Sequence, residues 1–169
     1  MLKVDLARLA RQRRIRIDVD VPADDPLWSG LGVEFDGPVV VRLEIQQAGA
    51  DVVVRGGLQG VAALSCRRCL QPVQHELDEE LTFFFRSGVT ATDADAEEVY
   101  PLPARGQELD LTRPLREHVL LAVPQYAICD DACRGLCPRC GTNLNESTCA
   151  CTVVEEDPRW AALRRLRTD

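Results

Sequence analysis

The sequence predicts an α+β fold: an antiparallel, barrel-like β meander with a short helix, a C-terminal cysteine-rich zinc module and a last short helix. Three observations predict it. Apolar and polar residues alternate over consecutive segments joined by short turns, the pattern of half-buried strands in hairpin order. A later segment, residues 111–123, changes to helical spacing. Eight cysteines fall in pairs, six of them beyond residue 128.

The elements follow in order. In residues 14–21, Ile15, Ile17, Val19 and Val21 share one face, and Arg16, Asp18 and Asp20 the other. Residues 22–32 form a Pro-, Asp- and Gly-bearing loop. Residues 39–47 are a second strand, with Val39, Val41, Leu43 and Ile45 on one face. A turn at 48–51 leads into apolar strand material at 52–55 and 58–64. Gly56 and Gly57 between them are read as a bulge or bend. Residues 73–85 place Val73, His75, Leu77, Leu81, Phe83 and Phe85 on one parity. Residues 87–98 are small and acidic, the composition of an exposed loop. The helix at 111–123 takes Thr112 as its cap, Pro114 in its first turn and Pro124 as its stop. Leu115, Val119, Ala122 and Val123 form its apolar stripe. Residues 157–167 are expected to form the last helix, capped by Asp157. The expected division is a β-rich domain at 1–124 and a cysteine-rich module with its helix at 125–169.

The 169 residues carry a net charge of −7, which excludes a clamp for nucleic acid spread over the whole molecule. The charge is uneven, however. Six basic residues and one acid lie between Lys3 and Arg16, and six acids and one base between Asp93 and Asp110. Arg159, Arg164, Arg165 and Arg167 make the end basic again. No apolar run has the length of a membrane span, and the start lacks the apolar stretch of a secretory signal. The expected location is cytoplasmic, with no membrane partner. That compartment keeps thiols reduced, so paired cysteines point to metal or redox chemistry rather than a disulfide framework.

Cys66 and Cys69 form one C-x2-C pair at the tip between two predicted strands. Cys129 and Cys133 follow the helix, then Cys137 and Cys140 with Gly141 behind them, then Cys149 and Cys151. A C-x2-C turn lets two thiolates reach one ion, and tetrahedral zinc takes four. The last four cysteines suffice for one site. The other four make a second, pinning the module to the sheet; a rival grouping joins Cys129, Cys133, Cys137 and Cys140. Spacing does not choose between them, nor between zinc and iron. Four-thiolate sites are closed, which favours structure over catalysis. His75 and His118 read as core or surface histidines rather than ligands or bases. No phosphate loop, nucleophile elbow or zinc-protease motif is present. Arg67 and Arg68 lie inside the first knuckle, where they touch phosphate or face water.

The run Cys66-Arg-Arg-Cys-Leu-Gln-Pro, the run from Cys129 to Asn145, the pair Cys149 and Cys151, and Asp157-Pro-Arg-Trp-Ala-Ala-Leu together resemble the YceD family. These are the large ribosomal RNA subunit accumulation proteins of bacteria and plastids. The resemblance implies a non-enzymatic factor for synthesis, processing or accumulation of large-subunit ribosomal RNA. Its partners would be a large-subunit precursor, ribosomal RNA or a ribosomal protein, with no small-molecule substrate. It also implies two structural zinc sites, Cys66, Cys69, Cys129 and Cys133 forming one and Cys137, Cys140, Cys149 and Cys151 the other. Arg11, Arg13, Arg14, Arg67, Arg68, Arg164, Arg165 and Arg167 are the candidates for phosphate contact. The cysteine pairs also admit a thiol redox protein or redox-regulated zinc chaperone, whereas a zinc nuclease needs an oxygen- or histidine-rich site that the sequence does not offer.

Overall fold

The computed structural model of the chain describes residues 2–89, 99–104 and 107–151. Its elements run β1 (Lys3–Asp5), α1 (Leu6–Gln12), β2 (Arg14–Val21), a 3-10 turn (Pro26–Trp28), β3 (Glu34–Phe35), β4 (Val39–Ala48), β5 (Asp51–Ser65), β6 (Pro72–Arg86), β7 (Val99–Pro101), β8 (Glu108–Asp110) and α2 (Thr112–Ala122). The class is α+β, as the sequence predicts. The main sheet has the order β2-β4-β5-β6-β7, with β3 also on β5, while β1 and β8 form a separate ribbon. Consecutive strands pair antiparallel, and β7 joins β6 in parallel. The meander is therefore an open, mixed sheet.

Alternation places the core. Val39, Val41, Leu43 and Ile45 of β4, Val54 and Leu58 of β5, and Leu77, Leu81, Phe83 and Phe85 of β6 are buried on one face. Leu9 of α1 and Leu115 and Val119 of α2 cover them. The opposite face is polar, with Arg16 3.1 Å from Glu44 and Arg42 3.4 Å from Asp18. The predicted strands at 14–21, 39–47 and 73–85 match β2, β4 and β6 to within one residue at each end.

Three expectations are corrected. Gly56 and Gly57 mark no bulge: β5 runs unbroken, in constant register with both β4 and β6. The strands instead approach so closely that a Cβ on Gly56 would stand 1.9 Å from the Arg42 carbonyl oxygen. Thr112 does not cap α2; it is the first helical residue, and Asp110 accepts its N–H at 2.8 Å. The chain before residue 14 forms a helix that the sequence reading passed over. Asp5 caps α1 by accepting from the N–H groups of Ala7 and Arg8, and Arg13 closes it in the left-handed region at φ 64°. The predicted last helix and the acidic run 93–98 lie outside the described residues.

Gly56 and Gly57 differ sharply in the space they have. A Cβ on Gly57 meets only the Glu79 carbonyl oxygen, at 3.4 Å. Gly56→Ala should therefore destabilise the protein by about 3 kcal/mol or more through overpacking against backbone, and Gly57→Ala by less than about 1 kcal/mol. Denaturant unfolding of the two variants checks this; equal losses would contradict the close approach.

Candidate metal centres

The long β5–β6 hairpin ends in the turn that carries Cys66 and Cys69. Its backbone is fixed by two hydrogen bonds, Leu70 N–H to the Cys66 carbonyl at 2.9 Å and Cys66 N–H to the Gln71 carbonyl at 2.8 Å. The turn at Cys137 and Cys140 repeats them: Gly141 donates to Cys137 at 2.9 Å, and Cys137 to Thr142 at 2.8 Å. Both turns need a left-handed residue after the second cysteine. Gly141 supplies it at φ 73°, whereas the first knuckle uses Leu70 at φ 62°.

The segment after α2 folds back onto the first knuckle. Arg67 donates its backbone N–H to the Ala127 carbonyl (2.8 Å) and its guanidinium to the Gln125 carbonyl (3.1 Å), and it stacks 3.8 Å from the Tyr126 ring centre. Arg68 donates to the carbonyls of Asp131 (3.0 Å) and Cys133 (3.1 Å), while its own carbonyl accepts from Leu136 N–H at 3.0 Å. Gly135 passes so near that a Cβ there would stand 2.9 Å from the Arg68 carbonyl oxygen. The two arginines of the knuckle thus hold the tail in place on both sides.

This docking brings together the sulfurs of Cys66, Cys69, Cys129 and Cys133, all within 4.8 Å of one another, and a second group holds Cys137, Cys140, Cys149 and Cys151 at the same limit. Cys66 Sγ lies 3.9 Å from that of Cys133, and Cys69 Sγ 3.5 Å from that of Cys129. A zinc tetrahedron with Zn–S of about 2.3 Å has an S···S edge of about 3.8 Å. A disulfide needs about 2.05 Å, and all eight cysteines are free. Each group could hold a metal ion. The rival grouping of Cys129 and Cys133 with Cys137 and Cys140 is not the one observed. The first group is mostly buried, with only Cys129 exposed; in the second only Cys137 is buried.

Within each group the thiols are unequal. Cys66 is pulled down to about 6, first by the Cys69 backbone N–H and then by those of Cys129 and Arg68. Burial raises Cys133, but the Asn145 side-chain amide and the Gly135 N–H outweigh it and bring it down. Cys129 is pushed up to about 12 by the neighbouring sulfurs, Cys69 foremost. Cys69 is also raised: the Gln71 N–H lowers it, but burial and the Cys66 sulfur prevail. In the second group Cys140 falls to about 6, first through the Thr142 hydroxyl, and Cys151 rises to about 12, first through Cys140. Closely apposed thiols cannot all ionise without a cation.

Asn145, which the sequence does not single out, ties the stretch past the second knuckle back to Cys133 and Arg134. Its Nδ2 donates to Cys133 Sγ at 3.3 Å, and its Oδ1 accepts from Arg134 N–H at 2.7 Å. Its signal in sequence was an Asn placed just past the second knuckle. The remaining arginine candidates do not join Arg67 and Arg68. Arg14 pairs in register with Gln46, which leads through Val53 to Phe84. Val53 is twelve residues of β5 from Ser65, about 40 Å of strand path. Arg11, Arg13 and Arg14 therefore stand at the other end of the hairpin, and Arg164, Arg165 and Arg167 lie outside the described residues. His75 is half-buried on β6, and His118 Nε2 lies 3.5 Å from Glu79. Neither belongs to a cysteine group.

Comparison with known proteins gives a consistent set. The family described as Large ribosomal RNA subunit accumulation protein YceD matches residues 54–167. An uncharacterized protein of Mycobacterium tuberculosis is 30% identical over 165 residues, covering 96% of this chain and 79% of the relative. The Large ribosomal RNA subunit accumulation protein YCED homolog 1, chloroplastic, of Arabidopsis thaliana is 28% identical, covering 90% of this chain and 58% of its own length. The protein of the same name in Zea mays is 25% identical over 71% of this chain and 50% of its own length. No solved structure matches.

Two outcomes follow from the thiol environments. Cys69 and Cys129, raised above the ordinary thiol value, are protonated at pH 7.5. Metal uptake by the first group should release at least those two protons and weaken as pH falls. Calorimetry in buffers of different ionisation enthalpy measures the release, and proton-neutral binding would contradict it. Asn145→Ala should lower retention of a metal at the first group by about 10–100-fold in competition with a chelator, leaving the second group unchanged.

Proposed function

This chain belongs to the YceD family, the large ribosomal RNA subunit accumulation proteins, and on that premise we propose that it is a non-enzymatic, zinc-stabilised factor supporting accumulation of large-subunit ribosomal RNA. The observation that carries the metal part is the convergence of two sets of four sulfurs, those of each set within 4.8 Å of one another, the first with separations of 3.5 and 3.9 Å. Four thiolates suit zinc and leave it no open position, so the ions hold structure rather than perform chemistry. The first ion fixes the segment after α2 to the hairpin tip; the second closes the turn of Cys137 and Cys140 onto Cys149 and Cys151. The division at residue 124 into a β-rich unit and a cysteine-rich module is part of the same reading.

The partner is then a large-subunit precursor, its RNA or one of its proteins. The surface that meets it is the docked module with the knuckle beneath it, where Arg67 stacks on an exposed Tyr126. Arg67 covers one face of that ring, and the other face suits an unstacked base, with Arg134 and Arg139 adding positive charge in the same segment. Separations of 3.5 and 3.9 Å support a shared ion over a dithiol switch. Among the described residues no helix is long and apolar enough to cross a membrane. We place the chain in the cytoplasm, where free thiols are the rule; the plant relatives are named chloroplastic.

Native mass spectrometry should count two zinc ions, and the Cys66→Ser/Cys69→Ser variant should carry one. In cells, crosslinking should enrich large-subunit ribosomal RNA on the chain, and depletion should lower that RNA relative to the small-subunit species. Loss of both subunits' RNA in parallel, or crosslinks no richer in large-subunit RNA than total RNA is, would sink the proposal.

A further inference from the structure

Among the described residues, strand β6 has a neighbour on only one side for most of its length. β5 pairs with it from Pro72 to Phe85, but β7 reaches only Phe84 to Arg86. Among the described residues no strand pairs with its other edge below Phe84, and no loop backbone bonds to it there. An edge of this length presents a row of free N–H and C=O groups, a ready template for another strand.

The side chains along the edge decide what the template accepts. Glu76, Asp78 and Glu80 share the solvent face, and Glu79 lies on the other. No basic residue occupies positions 76–80. Edges are commonly guarded by charge, and a guard of one sign is selective. It repels a second copy of this chain, whose edge is equally acidic, and attracts a basic strand. Like charges directly opposite each other destabilise a strand pair, while opposite charges support it.

The inner side of the edge offers a different contact. Helix α2 lies over β6, with the His118 ring edge-on to Phe83 at 6.2 Å and its Nε2 3.5 Å from Glu79. Leu121, three residues on, shares that flank of the helix and is 86% exposed. Arg116, on the opposite flank, is taken up by the carbonyls of Leu27 and Ser29. An added strand would put alternate side chains opposite the carboxylates and the others toward Leu121.

The geometry points to the free edge of β6 at Glu76 to Glu80 as a docking site for an extended basic segment of a partner protein, added by backbone pairing, in which Lys or Arg alternates with apolar residues. It stands on this edge alone and holds whether or not the chain acts on ribosomal RNA.

The test uses the full metal-loaded chain and a short, labelled, alternating lysine–valine peptide, read by fluorescence anisotropy. Two control peptides keep the charge but carry N-methyl groups on alternate residues, one set on the lysines and one on the valines. The unmodified peptide should bind and slow hydrogen exchange of the amides at residues 76–80. The control blocked on the pairing edge should bind at least about tenfold more weakly, as should the unmodified peptide to Glu76→Lys/Asp78→Lys/Glu80→Lys. Circular dichroism checks that this variant keeps its sheet; if it does not fold, the methylated peptides decide alone. Equal binding of all three peptides would reduce the contact to charge and overturn the proposal. So would no binding of the unmodified peptide.

Discussion

The structure turns on the apposition of four sulfurs drawn from two distant parts of the chain. Cys66 and Cys69 come from the tip of a hairpin, and Cys129 and Cys133 arrive after α2, sixty or more residues later. At separations of 3.5 and 3.9 Å, four thiolates would repel one another strongly in a poorly solvated site. Two of the four are accordingly held as thiols, Cys129 up at about 12 and Cys69 also raised, while Cys66 is drawn down to about 6. A cation among them reverses that balance and turns mutual repulsion into cohesion. Among the described residues, the segment from Gln125 to Leu136 meets the hairpin around this point.

Among the described residues, the tail buries little apolar surface at the junction. Cys133, Gly135 and Cys137 are buried there, with Leu136 packed partly against the cysteine cluster. A segment of that size buries too little apolar surface to fold alone, and small modules of this kind rely on metal for their order. Guanidinium hydrogen bonds from Arg67 and Arg68 to carbonyls of the tail finish the attachment. Placing both arginines between the two cysteines of a knuckle makes their reach to the tail automatic, because the turn that aims the thiolates also aims the residues between them. Residues that looked like phosphate contacts in the sequence have a structural employment as well.

Legibility in the sequence followed locality. Strands β2, β4 and β6 were readable because alternation is a property of neighbours along the chain. The cysteine pairs were readable because two ligands from one turn must lie close in sequence. How the pairs combine was open from spacing, since it depends on where α2 ends relative to the hairpin tip. Gly56 was misread for a related reason: a bulge and a close approach of strands leave the same residue type, and only the partner strand distinguishes them. The short helix α1 offers just Leu6 and Leu9 as apolar markers, too few to show a period. The basic residues group together as candidates for phosphate contact because nothing in the sequence says that Arg14 and Arg67 sit at opposite ends of one hairpin.

The two knuckles show what the thiolate geometry demands and what sequence merely accommodates. Both make the same pair of backbone hydrogen bonds, and both put the residue after the second cysteine in the left-handed region. Gly141 does this without steric cost. Leu70 does it against a penalty of about 1–2 kcal/mol for an L residue with a Cβ, and its side chain remains 65% exposed, so burial offsets none of it. A leucine that is strained and unburied is tolerated only where its surroundings overdetermine the backbone. At the first knuckle they do: two strands fix the turn from below, and the docked tail fixes it from above. Among the described residues the second knuckle is flanked by a single bridge, Leu136 with Asn143, and glycine stands there. The choice of residue thus follows how firmly the described fold braces each candidate metal centre.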